Sequence, residues 1–307
     1  MNKSRPVVYF LYATIIVAFF LWLIFNISIL LVHFLALSNI SFIYLNFIPA
    51  LIGAIAIILG LSTATPLLKD SMVTLRRLLR FDNLSNPLLL KLSLLAPGTY
   101  HHSINVSNLG QSAAKAVGAD SLLVRVAAYY HDIGKLDNPE FYIENQSESE
   151  KNQGYSSAKQ AAKIIVGHVK NGILLAKKNN LSEEICDLVA QHHGTTLVNY
   201  FFELAKSQDS KSLREDFRYP GPKPATKEAG ILMISDCVEA AVRSVKDVPL
   251  ANLADIVNNI ILEKVEEQQL DNSGLSEKEL KKIRESLIET LGVIYHRRAV
   301  NTQTTNK

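Results

Sequence analysis

Ala128-Tyr129-Tyr130-His131-Asp132-Ile133-Gly134-Lys135 is the stretch around which the chain is organised. A largely apolar run over 122–130, charged only at Arg125, leads into an adjacent histidine and aspartate, and Gly134 then breaks it. A helix here carries His131 and Asp132 on its last turn. Neighbouring helix positions differ by ~100°, so the two side chains can grip one metal ion from two sides. Taken alone, such a dipeptide is more often a satisfied polar pair at a capped helix end. The decision rests on the remaining histidines and on one further aspartate.

Those residues fall on apolar faces. A helix capped by Thr99 and running to about Val117 places His102, Val106, Leu109, Ala113 and Val117 on one stripe. His101 falls with Asn105, Asn108 and Ser112 on the polar face. A helix over about 156–179 carries Ala161, Ile164, Ile165 and His168 together. Ser182 opens the next helix, whose stripe of Ile185, Leu188 and Val189 ends in His192 and His193 before the stop at Gly194. The helix over about 226–245 has Asp236 in the middle of its apolar stripe, where a carboxylate is costly unless paired or metal-bound.

His102, His131, Asp132, His168, His192, His193 and Asp236 are all metal-ligand types on inward faces. Packing alone explains one such residue, not seven. Imidazole and carboxylate without thiolate suit iron or manganese, and zinc less exclusively. If Asp132 bridges, one ion takes His102, His131 and Asp236, and the other His168, His192 and His193. Two divalent ions about 3.5–4 Å apart support in-line attack on a phosphodiester.

The rest of the chain sets the frame. With 307 residues and a formal net charge of +3, there is room for one large domain or two small ones. The near-neutral charge argues against a nucleic-acid polymer as partner. Cys186 and Cys237 lie in separate helical patterns without CxxC spacing, and read as small core residues. Residues 7–32 and 42–61 are each long and apolar enough to span a bilayer. Lys3 and Arg5 precede them and Lys69, Arg76, Arg77 and Arg80 follow, so both flanks are expected in the cytoplasm. The expected organisation is all-α. A transmembrane hairpin occupies 1–65 and an amphipathic connector 66–86. A helical domain follows over 87–298, then a disordered tail over 299–307. His33 is explained by an interfacial position. Residues 137–155 read as a loop, 195–206 as a helix, and 214–224 as a basic, Pro-rich loop. Helices over about 252–268 and 276–295 close the domain.

The succession His102, His131-Asp132, His168, His192-His193 and Asp236 resembles the HD-domain superfamily of metal-dependent phosphohydrolases. The runs Pro97-Gly-Thr-Tyr-His-His-Ser103, Phe141-Tyr-Ile-Glu-Asn-Gln146, Gln191-His-His-Gly-Thr195 and Asp216-Phe-Arg-Tyr-Pro-Gly-Pro-Lys-Pro224 resemble, more narrowly, the cytoplasmic domain of the 7TM-HD proteins. That family includes cyclic di-AMP phosphodiesterases of the PgpH type. The resemblance implies an all-helical fold and a di-iron or di-manganese site on the seven positions. It also implies hydrolysis of cyclic di-AMP to linear pApA. Lys135 is expected to hold a phosphate oxygen beside the catalytic Asp132, Arg218 and Lys223 the second phosphate, and Tyr219 to stack on a base. The family places seven membrane helices and a large extracellular domain before the HD domain. This chain has room for two spans, and the expectation is a truncated member, a split subunit or a fragment. Expected partners are the cyclic dinucleotide, the lipid bilayer and, as a homodimer, a second copy. The rival readings are hydrolysis of cyclic di-GMP or guanosine tetraphosphate, and a membrane adaptor that binds a nucleotide without cutting it.

Overall fold

The computed structural model describes residues 72–146, 157–245 and 250–304, with short helical pieces among 17–31 and at 51–54. The proposed membrane spans, the turn between them and His33 lie largely or wholly outside the described residues. Among the described residues, no helix is long and apolar enough to cross a membrane. The chain divides into a unit of Met1–Arg77 and a unit of Leu78–Lys307.

Among its described residues, the second unit holds nine named helices: α1 Pro87–Leu95, α2 Pro97–Val117, α3 Ser121–Tyr130, α4 Ala158–Lys178, α5 Glu183–Gln191, α6 Asn199–Gln208, α7 Lys227–Ser244, α8 Leu250–Glu266 and α9 Glu277–Thr304. Short 3-10 turns at Ile133–Asp137, Pro139–Phe141, Ile143–Asn145 and Arg214–Phe217 link them. Extended pairing among the described residues is limited to an isolated bridge between Leu197 and Arg218.

Local chemistry sets the helix ends. Asn86 caps α1 by accepting from the Leu88 amide, with Pro87 preset for the first turn. Asp120 accepts from the Leu122 and Leu123 amides at the start of α3, and Thr226 from Ala229 at the start of α7. Pro97 begins α2 rather than a free turn, so Thr99 lies buried inside the helix instead of capping it. Ser182 stands at the N-cap of α5, but its hydroxyl makes no capping bond.

α7 is the central element. Every residue from Glu228 to Asp236 is buried. One side packs Ile231, Ile234 and Val238 with Leu109 of α2, Val124 of α3, Leu253 and Val257 of α8, and Ile283 and Leu287 of α9. A second core joins Leu89 and Leu92 of α1, Val126 and Tyr130 of α3, Ile133, and Ile185 and Val189 of α5. A smaller cluster of Val106, Ala127, Ala128, Leu188, Ala229 and Leu232 draws α2, α3, α5 and α7 together.

Three stretches carry detail beyond the sequence reading. On the connector helix Leu78 and Phe81 are buried, while Met72, Leu75 and Leu79 are exposed. The 137–155 loop holds two 3-10 turns with Tyr142 buried, and 147–156 lies outside the described residues. The final helix continues to Thr304, because no glycine or proline follows Gly292 to stop it. The expected tail over 299–307 falls partly within this helix and partly outside the described residues.

Candidate metal centre

The two paired motifs sit just beyond helix ends. α3 stops at Tyr130, with His131 still helical as its C-cap and Asp132 at φ −107°, ψ 12°. α5 stops at Gln191 with His192 as its C-cap, and Gly194 then turns at φ +52°. A side chain there would be strained, and its Cβ would meet Gln269 Oε1 at 2.5 Å. His102 comes from the first half of α2, His168 from the middle of α4 and Asp236 from the middle of α7.

All seven residues meet at one place. Their donor atoms form two groups, Asp132 with His168, His192 and His193, and His102 with His131 and Asp236. Within each group, the atoms lie within 4.8 Å of one another. The Asp132 carboxylate stands between them. Its Oδ1 is 3.2 Å from His168 Nε2 and 3.9 Å from His192 Nε2, while Oδ2 is 3.3 Å from His131 Nε2 and 3.6 Å from His102 Nε2. Asp236 also faces both groups, with Oδ1 2.9 Å from His102 Nε2 and Oδ2 3.6 Å from His193 Nδ1.

The histidines are oriented from behind. His131, His168 and His192 each turn Nδ1 onto the backbone carbonyl three residues earlier, Ala128, Ile165 and Val189. Donation there leaves the Nε2 lone pair facing the centre, which is the tautomer a metal needs. His102 Nδ1 is bonded instead to the carboxylate of Glu239. His131 Nε2 and Asp132 Oδ1 are buried and have no hydrogen-bond partner. Such groups are costly without a ligand. The residues therefore fit a pair of metal ions.

The charges respond to one another. Burial opposes ionisation of Asp132, but Lys135 and His131 hold its carboxyl well below the usual range. Burial likewise opposes the charge on Asp236, which His102 and His131 keep low. Burial disfavours imidazolium at His102, yet Asp236 and Glu239 carry it up to about 9. Asp132 and Asp236 carry His131 up to about 10. Burial and the neighbouring imidazoles push His192 down to about 3 and His193 down as well.

Lys135 lies in the same network. Its Nζ is 2.7 Å from Asp132 Oδ2 and 2.7 Å from Glu144 Oε1. Tyr219 is buried beside the centre, its ring 4.2 Å from that of His193. Arg218 and Lys223 bond to backbone carbonyls instead, Thr195 at 2.8 Å and Gln268 at 2.9 Å. The Pro-rich loop thus braces the His192-His193 turn, with the Tyr219 amide donating to Thr196 and the Val198 amide to Phe217. His101 is exposed, as its polar face requires.

Several contributors escaped the sequence reading. Glu239 lies one helical turn beyond Asp236, a spacing that could have flagged it. Asn105, assigned there to the polar exterior, donates to Glu239 Oε1 at 3.0 Å. Glu144 was quoted within a motif but given no role. Gln269 accepts from the Thr195 amide at 3.0 Å from far along the chain, and no local signal marks it.

Comparison with known proteins agrees with this geometry. The HD domain family model matches residues 99–241. The crystal structure of the Listeria monocytogenes phosphodiesterase PgpH HD domain in complex with cyclic-di-AMP superposes with a TM-score of 0.67 at 43% identity, covering 69% of this chain and 100% of that one. The chain belongs to the HD-domain family, among its PgpH-type members. Full-length relatives extend the likeness. The cyclic-di-AMP phosphodiesterase PgpH of L. monocytogenes is 43% identical over 227 residues, and that of Bacillus subtilis 41% over 231. These matches take in 74% and 75% of this chain but only 32% of each relative. The chain thus spans about a third of the length of these curated relatives. Two His/Asp clusters typical of a dinuclear HD site are present in it.

Proposed function

We propose that this chain is a membrane-anchored phosphodiesterase that hydrolyses cyclic di-AMP to linear pApA. The observation that carries the reading is the Asp132 carboxylate, whose two oxygens face different histidine groups. The HD domain of the L. monocytogenes relative, solved with cyclic-di-AMP, supports the substrate.

His102, His131 and Asp236 would hold one ion, and His168, His192 and His193 the other, with Asp132 between them. Iron or manganese suits this donor set. When bound, the pair supplies Lewis-acid charge and a nucleophile derived from water at neutral pH. The protein's own part is to place and exclude. Asp132 fixes the spacing of the two positions. Lys135 keeps its ammonium beside Asp132 and is assigned a non-bridging phosphate oxygen. Tyr219 forms a wall for a base. Arg218 and Lys223 would have to release the Thr195 and Gln268 carbonyls to reach a phosphate, so they are assigned to the loop. The apolar segments 7–32 and 42–61 anchor the domain on the cytoplasmic side of the membrane. A reporter fused after Phe81 should then read cytoplasm, and one near Ser38 the outside.

The deciding experiment is turnover by the purified chain with Mn²⁺. Conversion of cyclic di-AMP to pApA should outpace hydrolysis of cyclic di-GMP. Equal or reversed rates would overturn the substrate assignment. Binding without turnover would favour the adaptor.

A further inference from the structure

We infer that the two metal positions are unequal: the one formed by His102, His131 and Asp236 binds its ion first and more tightly, and Glu239 is the positioning residue responsible. This rests on the dinuclear reading above.

The asymmetry lies behind the ligands. His131, His168 and His192 each lean on a neutral backbone carbonyl. His102 alone among these four leans on a carboxylate. A carboxylate behind an imidazole makes its other nitrogen a stronger donor and fixes the ring's angle. Glu239 is 1% exposed. Asn105 Nδ2 holds its Oε1 at 3.0 Å, and Arg243 Nε lies 3.4 Å from Oε2.

The charge count points the same way. Near the first position stand Asp236, Glu239 and the Oδ2 side of Asp132. Near the second stand three imidazoles, the Oδ1 side of Asp132 and the farther oxygen of Asp236, 3.6 Å from His193. Two cations approach the first position. Lys135 is matched by Glu144 at 2.7 Å. Arg243 is divided between Glu239 and Glu144 Oε2 at 3.9 Å, and its side chain is 33% exposed, so water screens it. Glu239 thus adds a carboxylate behind the first position, partly offset by Arg243, and a divalent cation there gains from it.

The test is a Mn²⁺ titration of the metal-free full chain, read by free-ion electron paramagnetic resonance and by elemental analysis after dialysis. Wild type should bind two equivalents in two separable steps. Glu239→Gln should weaken the tighter step 10–100-fold and leave the other within about threefold. Glu239→Asp should recover part of the loss, and His168→Ala should remove the weaker step alone. Asn105→Ala, which only loosens Glu239, should weaken the tighter step several-fold, and it decides the matter if Glu239→Gln loses helicity. Two identical steps in wild type would overturn the inference and leave the dinuclear reading standing. So would an equal effect of Glu239→Gln on both steps, or no effect on either. A wild-type chain that bound no Mn²⁺ would overturn both.

Discussion

Gly134→Ala is the substitution that most sharply links packing to the metal centre. Gly134 lies in the 3-10 turn Ile133–Asp137, two residues past Asp132, and that turn rests directly on α4. A Cβ at position 134 would sit 1.9 Å from the His168 carbonyl oxygen and 2.4 Å from the Gly172 amide nitrogen. Ordinary contact begins at about 3.4 Å, so turn and helix must separate by about 1.5 Å. Both obstacles are backbone, and no rotamer change relieves them. Overpacking of this kind costs typically 1–3 kcal/mol, and more where backbone has to move. The displaced helix carries His168, whose Nε2 is 3.2 Å from Asp132 Oδ1. Misplacing a catalytic group by about 1 Å costs on the order of 100-fold in rate. The Ala variant should therefore melt lower, lose metal at the His168 position and lose at least that much turnover. Gly167→Ala is the control, one residue before His168, where a Cβ meets nothing within 4 Å. It should raise stability by about 0.5–1 kcal/mol through helix propensity. Thermal melts by circular dichroism, with metal content measured alongside, compare the two. A Gly134→Ala protein with wild-type melting temperature and full metal content would refute the packing argument.

Other outcomes follow from the charge network. Lys135→Met strips the shared cation from Asp132 and Glu144 in buried surroundings. It should cost about 3–5 kcal/mol in urea unfolding, and adding Glu144→Gln should return part of that. At the start of α9, Ser276 and Glu279 form a reciprocal cap: Glu279 Oε2 accepts from the Ser276 amide at 3.0 Å, and Ser276 Oγ from the Glu279 amide at 3.4 Å. Lys227 and this cap lower Glu279 from 4.5 to about 2. A depressed carboxyl stabilises the fold above its unfolded value, and that contribution disappears as pH falls through the folded one. Urea unfolding should therefore lose stability between about pH 4.5 and 2, and Glu279→Gln should flatten that part of the profile.

Much of this centre was legible because burying a histidine or aspartate on an apolar stripe is costly. The inward positions of His102, His168 and Asp236 follow from a 3.6-residue period alone. The partition into two groups about Asp132 also agrees with the distances. Other features depend on tertiary partners that no local pattern announces. His131 and Asp132 were expected on the last turn of a helix, but α3 ends at Tyr130 and a 3-10 turn takes over. That tighter turn is what lets Gly134 rest on α4. The roles foreseen for Arg218 and Lys223 rested on charge, and their carbonyl partners come from the His192-His193 turn and from the segment after α8. Asn105 looked like a solvated residue because it was judged on its own helix, and Glu239 was given no role. They meet only when α2 packs on α7.

The central claim is that Asp132 bridges two ions, and metal content of Asp132→Asn tests it most directly. An amide is nearly isosteric with the carboxylate but neutral, and it bridges poorly. The variant should keep its helicity by circular dichroism while losing most of both metal equivalents and nearly all activity, whereas His168→Ala should weaken mainly one. A helix-terminal role alone would predict little change, since Asn serves there about as well as Asp. An Asp132→Asn protein that retained both metals and hydrolysed cyclic di-AMP normally would contradict the account.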